Sequence, residues 1–330
     1  MFREALPVGF WHQGALGDFV LFTPVLDAFQ ETFPHVPVLL WTVPAYNELL
    51  YGKPYRGGLA SCDGPFWRSL FVDDMLASVP VPETLLQCQA FFWVGQKGAL
   101  PIVDRLKKRL ACPVHWLQSF PDQQTDVDVP VTEFLVHQMA SLGFTVPKRR
   151  PKLAADPHVV KDVVAWLGRQ NLPSRGYGVV HMGSGGIGKI WPMSRWRSLL
   201  QVTSGFFGAP MVLLMGPADE RIMPYVDAFS TTWGWPVYES GDLKRLTALL
   251  SGAGFYVGVD SGVSHVAAAM AVPSLVIFGQ TNPAVWAPQG NHVQIYQDSW
   301  TPQDVFGQGK DCASKVSAHV LQCLQKVMGI

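Results

Sequence analysis

The stretch most suited to chemistry is YGVVHMGSGGIGKIWPMSRW, residues 177–196, where an apolar strand pattern runs into a glycine-rich turn and then a helical pattern. Such a turn exposes backbone N–H groups, and a helix N-terminus adds partial positive charge, so phosphate is its natural ligand. Gly183-x-Gly185-x-x-Gly188 has the spacing of a dinucleotide fingerprint, which needs the helix to begin within the glycines and an acid at the end of the next strand. Pro192 marks the first helical turn four residues late, and the next strand ends Leu214, Met215, Gly216 with Asp219 beyond it. An NAD-dependent oxidoreductase is therefore disfavoured. Gly183 to Lys189 also fits GxxxxGK, but Ile190 stands where Ser or Thr must hold magnesium, which disfavours triphosphate hydrolysis.

Other residues could join such a site. Asp260-Ser261-Gly262-Val263-Ser264-His265 follows an apolar strand and opens a helix, a second N-terminus able to face an anion. Helix capping alone would account for Asp260 or Ser261, and His265 equally reads as a hydrogen-bonded core histidine. Asp18 closes the turn Gly14-Ala15-Leu16-Gly17 at the carboxyl end of the first strand, where open α/β sheets bind ligands. It could act as a base or cap a helix. Asp126-Val127-Asp128 spells a manganese-type DxD, but inside the polar run PDQQTDVDVP it reads as a loop and cap. The cluster Arg105, Lys107, Lys108, Arg109 reads as a solvated helix end that complements the dipole.

Alternating short apolar runs and helical patterns position these residues, the signature of parallel sheets covered by helices. The class is α/β. Strands are expected at Val8 to Trp11, Val38 to Val43, Ala90 to Val94 and Val114 to Leu117, with a helix between the first two carrying Phe19, Phe22, Leu26, Phe29 and Phe33 on one stripe. The three prolines and basic run of residues 147–157 make a linker, giving domains 1–150 and 151–330. The second set comprises strands Tyr177 to Met182, Met211 to Met215, Pro236 to Tyr238, Phe255 to Val259 and Ser274 to Phe278. Its helices are Val159 to Arg169, one from Pro192, one after Pro217, Asp242 to Ser251 and Ser264 to Met270. After Gly290 the pattern fades until a last helix, Ser314 to Val327, expected to pack back on the first domain.

At 330 residues, with 48% hydrophobic, 12% aromatic and 15% charged content, the chain can fill two cores. Lys+Arg and Asp+Glu are 25 each, so no global field draws it to nucleic acid or anionic lipid. The five cysteines, Cys62, Cys88, Cys112, Cys312 and Cys323, have no zinc-site spacing and read as reduced cytosolic thiols. The N-terminus lacks signal-peptide features, and no apolar run approaches the length of a membrane span.

Four blocks taken together, GALGDFVLFTPVLDAF, HMGSGGIGKIWP, LLMGPADERI and LLSGAGFYVGVDSGVSHVAAAMAVPSLVIFGQTNPAVWAPQG, resemble the ADP-heptose:lipopolysaccharide heptosyltransferase family, glycosyltransferase family nine. The resemblance implies a GT-B architecture, two Rossmann-like domains facing across a cleft, with the sugar nucleotide held mainly by the second. It implies inverting transfer of a heptose or related sugar from an ADP-sugar to a hydroxyl of a lipopolysaccharide-core or other glycan acceptor. The resemblance further implies that no metal and no cofactor take part. Asp18 falls on the family's base, and Lys189 would neutralise the leaving diphosphate. Ser184, Gly185, Gly186, Ser261 and Gly262 would hold the phosphates, Asp260 a sugar hydroxyl and Glu220 the ribose, with Leu243 beside the base. His265 and Thr281 join the donor side, although Gln280 and Asn282 depart from the family's FGPTDP. Gly17 and Lys97 are the acceptor-side candidates. A glycolipid acceptor would place the enzyme in the cytoplasm, peripheral to the inner membrane, with no nucleic-acid partner. A noncatalytic nucleotide-sugar-binding protein of the same fold is the alternative.

Overall fold

The computed structural model describes residues 2–3, 5–72, 78–122, 128–144, 147–207, 210–307 and 318–328. The chain divides into two compact units, Met1–Arg150 and Pro151–Ile330, each an α/β layer structure around one parallel sheet. In the first, strands β1 (Val8–His12), β2 (Val38–Thr42), β3 (Ala90–Gly95) and β4 (Val114–Gln118) lie in the order β2-β1-β3-β4.

Side chains alternate across that sheet, so neighbouring aromatics serve opposite faces. Phe10 stacks on its register partner Phe92 at 4.9 Å and meets Phe29 of the helix Leu16–Thr32 edge-on at 5.3 Å. On the other face Trp11 stacks on Trp93 at 4.4 Å, and Trp41, Phe66, Trp67 and Phe91 complete a second core. Gly9 makes that packing feasible, because a Cβ there would lie 2.6 Å from the Phe91 ring. Phe33 falls just past the helix end, where it meets Phe2 at 5.0 Å and Phe29 at 5.0 Å.

The second unit has six parallel strands: β5 (Tyr177–His181), β6 (Met211–Met215), β7 (Val237–Glu239), β8 (Ala253–Val259), β9 (Ser274–Phe278) and β10 (Val293–Gln297). Their order β10-β9-β8-β5-β6-β7 is the doubly wound arrangement of dinucleotide-binding folds. The central strands are buried throughout, as parallel strands covered on both faces must be. β10 was absent from the expected elements. It is a half-buried edge strand with polar Gln294 and Gln297, so no apolar run announces it. The described part of the last helix, Ala318–Met328, buries Val320, Leu324 and Val327 in the core of its own unit beside Trp300 and Val305. Residues Ser314 to Ser317, and Cys312, lie outside the described residues.

Phe92→Ala should remove the centre of the first core at a cost of about 3–5 kcal/mol, read as a lowered urea midpoint for the first unit.

Candidate functional site

A parallel sheet places its C-terminal loops along one edge, and a crevice opens where the order of strand addition reverses. In the second unit that point lies between β5 and β8, which pair directly. The loop after β5 carries the glycine turn and the loop after β8 carries Asp260 to His265, so both candidate anion sites meet at the switch point.

The two loops are bound together. Lys189 ends a short 3-10 turn, Ile187–Lys189, and its Nζ lies 2.8 Å from Asp260 Oδ2. The lysine side chain is 45% exposed and the carboxylate 6%, so the pair presents its cationic end outward. Ser184 Oγ donates to the Asp260 carbonyl at 3.0 Å. Gly185 and Gly186 are exposed, neither has a positive φ, and a Cβ on either would meet nothing within 4 Å. Packing does not demand glycine there; close approach of a ligand to the backbone would. The following helix starts at Met193, outside the glycines, so the dinucleotide reading fails on geometry as well.

Capping does not account for the second loop. Ser261 is the N-cap of helix Gly262–Ala269, yet among the described residues its hydroxyl makes no capping bond. It lies 3.5 Å from His181 Nδ1 and 3.4 Å from Ser264 Oγ instead. Gly262 is the first residue of that helix. His265 is buried, its Nδ1 has no hydrogen-bond partner among the described residues, and burial lowers its pKa to about 4 despite the neighbouring Asp260 charge. It is a neutral histidine at the floor of the loop.

A buried pair escaped the sequence reading. His181, the last residue of β5, sets Nε2 2.9 Å from Asp219 Oδ2, with side chains only 4% and 2% exposed. Gly216 N–H donates to the same carboxylate oxygen at 2.7 Å. Burial pushes the Asp219 carboxyl up, but His181 and the Gly216 N–H outweigh it and hold the group below its ordinary value. Gly183 is needed here, because a Cβ would lie 1.6 Å from Asp219 Oδ1. Glu220 is exposed and opens the turn Glu220–Ile222. Leu243 is half-buried at the start of helix Leu243–Gly252, whose cap Asp242 accepts from Arg245 N–H. Thr281 is half-buried, and Asn282 caps the turn Pro283–Trp286 by accepting from Ala284 N–H at 2.9 Å, as an aspartate would.

In the first unit the reversal lies between β1 and β3, and the chain beyond them carries Asp18 and Lys97. Asp18 is the third residue of helix Leu16–Thr32, with Ala15 as N-cap, and its Oδ2 accepts the Ala15 N–H at 3.3 Å. Gly17 precedes it, half-buried. A Cβ on Gly14 would lie 2.9 Å from His12 Cε1 and 3.1 Å from Asp18 Oδ2, and Tyr46 donates to the Gly14 carbonyl at 3.1 Å. Burial, then the Asp18 charge, push the Tyr46 phenol up. Burial lowers His12, stacked on Phe22 at 5.2 Å, to about 4. Lys97 is exposed and pairs with Asp122 at 3.0 Å. In the basic cluster, Arg105 and Arg109 donate to the carbonyls of Leu70 and Val79, so these two tie the helix to neighbouring loops rather than face solvent alone. Asp126 and Val127 of the DxD lie outside the described residues. Among the described residues no group of three His, Cys, Asp or Glu side chains is arranged to hold a metal, and no helix is long and apolar enough to cross a membrane.

The family model described as Glycosyltransferase family 9 (heptosyltransferase) matches residues 121–311. Lipopolysaccharide heptosyltransferase 1 of Escherichia coli K12 is 26% identical over 162 residues, 47% of this chain and 46% of that protein, so the match spans about half the relative's length. The crystal structure of a family 9 glycosyl transferase from Veillonella parvula superposes with TM-score 0.74 at 16% identity, covering 99% of this chain and 98% of that one. E. coli heptosyltransferase WaaC with ADP superposes with TM-score 0.63 at 17% identity, covering 97% and 99%. At these identities the structures bear on the fold, which is that of the GT-B-like heptosyltransferases.

His12 and His265 give a pH signature. Their folded values lie below the unfolded 6.5, so the stability they contribute is complete above pH 6.5 and is lost as pH falls towards about 4. By about pH 5 each should cost about 2 kcal/mol. Urea unfolding at pH 7.5 and pH 5 should show the loss, and His265→Gln should flatten it.

Proposed function

The chain belongs to glycosyltransferase family 9, and on that premise we propose that it transfers a heptose, or a related sugar, from an ADP-sugar to a hydroxyl of a lipopolysaccharide-core or other glycan acceptor. The transfer inverts the anomeric carbon and uses no metal ion. The observation that carries this reading is the Lys189–Asp260 pair, which holds a fixed ammonium over a glycine turn at a sheet switch point. An ammonium has three N–H donors, so Lys189 can keep Asp260 and still reach two diphosphate oxygens. Its charge meets the donor in the ground state and the departing diphosphate more strongly still.

The donor lies along the C-terminal edge of the second sheet. The glycine turn and the Ser261-Gly262 turn take the phosphates, while Glu220, beyond β6, and Leu243, at the start of the helix after β7, take the nucleoside. Asp260 and Thr281 face the sugar. In the first unit, Asp18 removes the acceptor proton as its oxygen bonds to the anomeric carbon and the carbon–oxygen bond to the diphosphate breaks. ADP leaves bearing the negative charge. Asp18 suits the role as a carboxylate at the start of the helix after β1, on the loop edge of the first sheet, where its Oδ2 accepts the Ala15 N–H at 3.3 Å. Gly17 and Lys97 lie on the acceptor side. A lipid-linked acceptor would bring the enzyme to the cytoplasmic face of a membrane as a peripheral protein.

ADP should raise the melting temperature in EDTA as in buffer, and loss of the shift in EDTA would sink the metal-free reading. Lys189→Ala should weaken ADP binding and lower turnover together; unchanged kinetics would return the residue to the surface. Asp18→Asn keeps the contact to Ala15 but not the base, so it should bind ADP normally and lose about 10²–10⁴ in turnover. Wild-type turnover in that variant would refute the base, and binding without turnover in the wild type would favour the noncatalytic alternative.

A further inference from the structure

The hydroxyl of Ser261 sits in a network whose proton directions can be deduced. Ser264 Oγ donates its one proton to the Val259 carbonyl at 2.6 Å, so the Tyr256 phenol, 3.0 Å away, donates to Ser264. Ser264 therefore turns a lone pair towards Ser261 at 3.4 Å. Asp219 is ionised and accepts only, so His181 carries its proton on Nε2 and, when neutral, turns the Nδ1 lone pair towards Ser261 at 3.5 Å. The Ser261 proton thus has acceptors within the fold at Ser264 and His181, with the Tyr256 phenol also in reach of the same hydroxyl. A phosphate oxygen bound by this hydroxyl accepts its hydrogen bond and leaves two lone pairs, on Oγ and Nδ1, facing each other between a half-buried serine and a buried histidine.

We infer that His181 is a positioning residue that takes up a proton when the donor diphosphate binds, turning its Nδ1 into a donor to Ser261 so that Ser261 can donate to phosphate. The inference rests on the donor reading above. The bond changes balance: one proton enters from solvent onto Nδ1, Ser261 rotates its own proton onto a phosphate oxygen, and an N–H···O bond replaces the facing lone pairs. Asp219 makes the buried imidazolium tolerable, because it is already ionised, in contact, and almost fully shielded from water. The other titratable groups of these elements do not compete for the proton. Tyr256 of β8 is pushed up by burial and already protonated, His265 is held neutral by burial, and Lys189 and Asp260 are paired with each other.

The test is calorimetric titration of ADP into the full chain near pH 8, where phosphate groups with a second pKa of about 6 are fully ionised. Run in two buffers of different ionisation enthalpy, wild type should take up most of one proton per ADP, and the apparent Kd should rise by up to tenfold per pH unit above that point. Ser261→Ala leaves the His181–Asp219 pair intact and loses no capping bond, so it should stay folded, bind ADP more weakly, and lose the uptake. Asp219→Asn should also lose it, and carries a greater risk of misfolding than Ser261→Ala. ADP binding with no buffer-dependent heat would overturn the inference while leaving the donor reading standing. Uptake that persists in Ser261→Ala would overturn it too, by showing that diphosphate charge alone protonates the histidine. Failure of ADP to bind wild type would overturn the donor reading and this inference together.

Discussion

The Lys189–Asp260 ion pair is the contact on which the second unit's loop edge depends. A carboxylate left almost without water needs a cation, and the one it meets, Lys189, stands at the far end of a glycine turn from a different strand. Satisfying Asp260 therefore draws the loop after β5 across to the loop after β8. Ser184 follows by donating to the Asp260 carbonyl, and the exposed Gly185 and Gly186 are left with their backbone open along the same edge. The sheet order makes this feasible, since β5 and β8 are neighbours only because the chain reverses its direction of strand addition between them.

Each unit ends its first strand with a buried histidine, and the contrast between the two is instructive. His12 lies among aromatic rings, its Nδ1 has no partner among the described residues, and burial, against a smaller opposing backbone hydrogen bond, lowers its pKa. His181 occupies the matching place in β5 but faces a carboxylate and a hydroxyl. One position in one fold thus gives an inert ring in the first unit and a polar relay in the second, according to what the next loops deliver. Burial by itself makes a histidine neutral; burial with an ionised partner leaves it able to carry charge.

Much of this was legible beforehand because apolar runs bounded by glycine and proline mark central strands well. β5, β6, β8 and β9 lie within about two residues of their expected limits, and the glycine turn and Asp260 loop fall at their ends. Edge strand β10 was invisible because half its residues need not be apolar. The His181–Asp219 pair was hidden for a different reason. His181 closes an apolar run, Asp219 stands beside the more conspicuous Glu220, and 38 residues separate the two. Only the parallel pairing of β5 with β6 brings them into contact, and no local spacing encodes it. Helix-cap logic failed for Ser261 on the same ground, since a tertiary partner claimed a hydroxyl that sequence context would assign to its own helix.

The packing at Gly183 also bears on how this protein could be diversified. Asp219 fills the space where a side chain on Gly183 would stand, whereas Gly185, Gly186 and Gly188 have nothing within 4 Å of a Cβ and no left-handed backbone. The glycine turn is therefore anchored at its root and permissive at its tip. A combinatorial library aimed at altered ligand scope should leave residue 183 untouched and randomise 185, 186 and 188, where new side chains enter open space without disturbing the buried polar pair beneath.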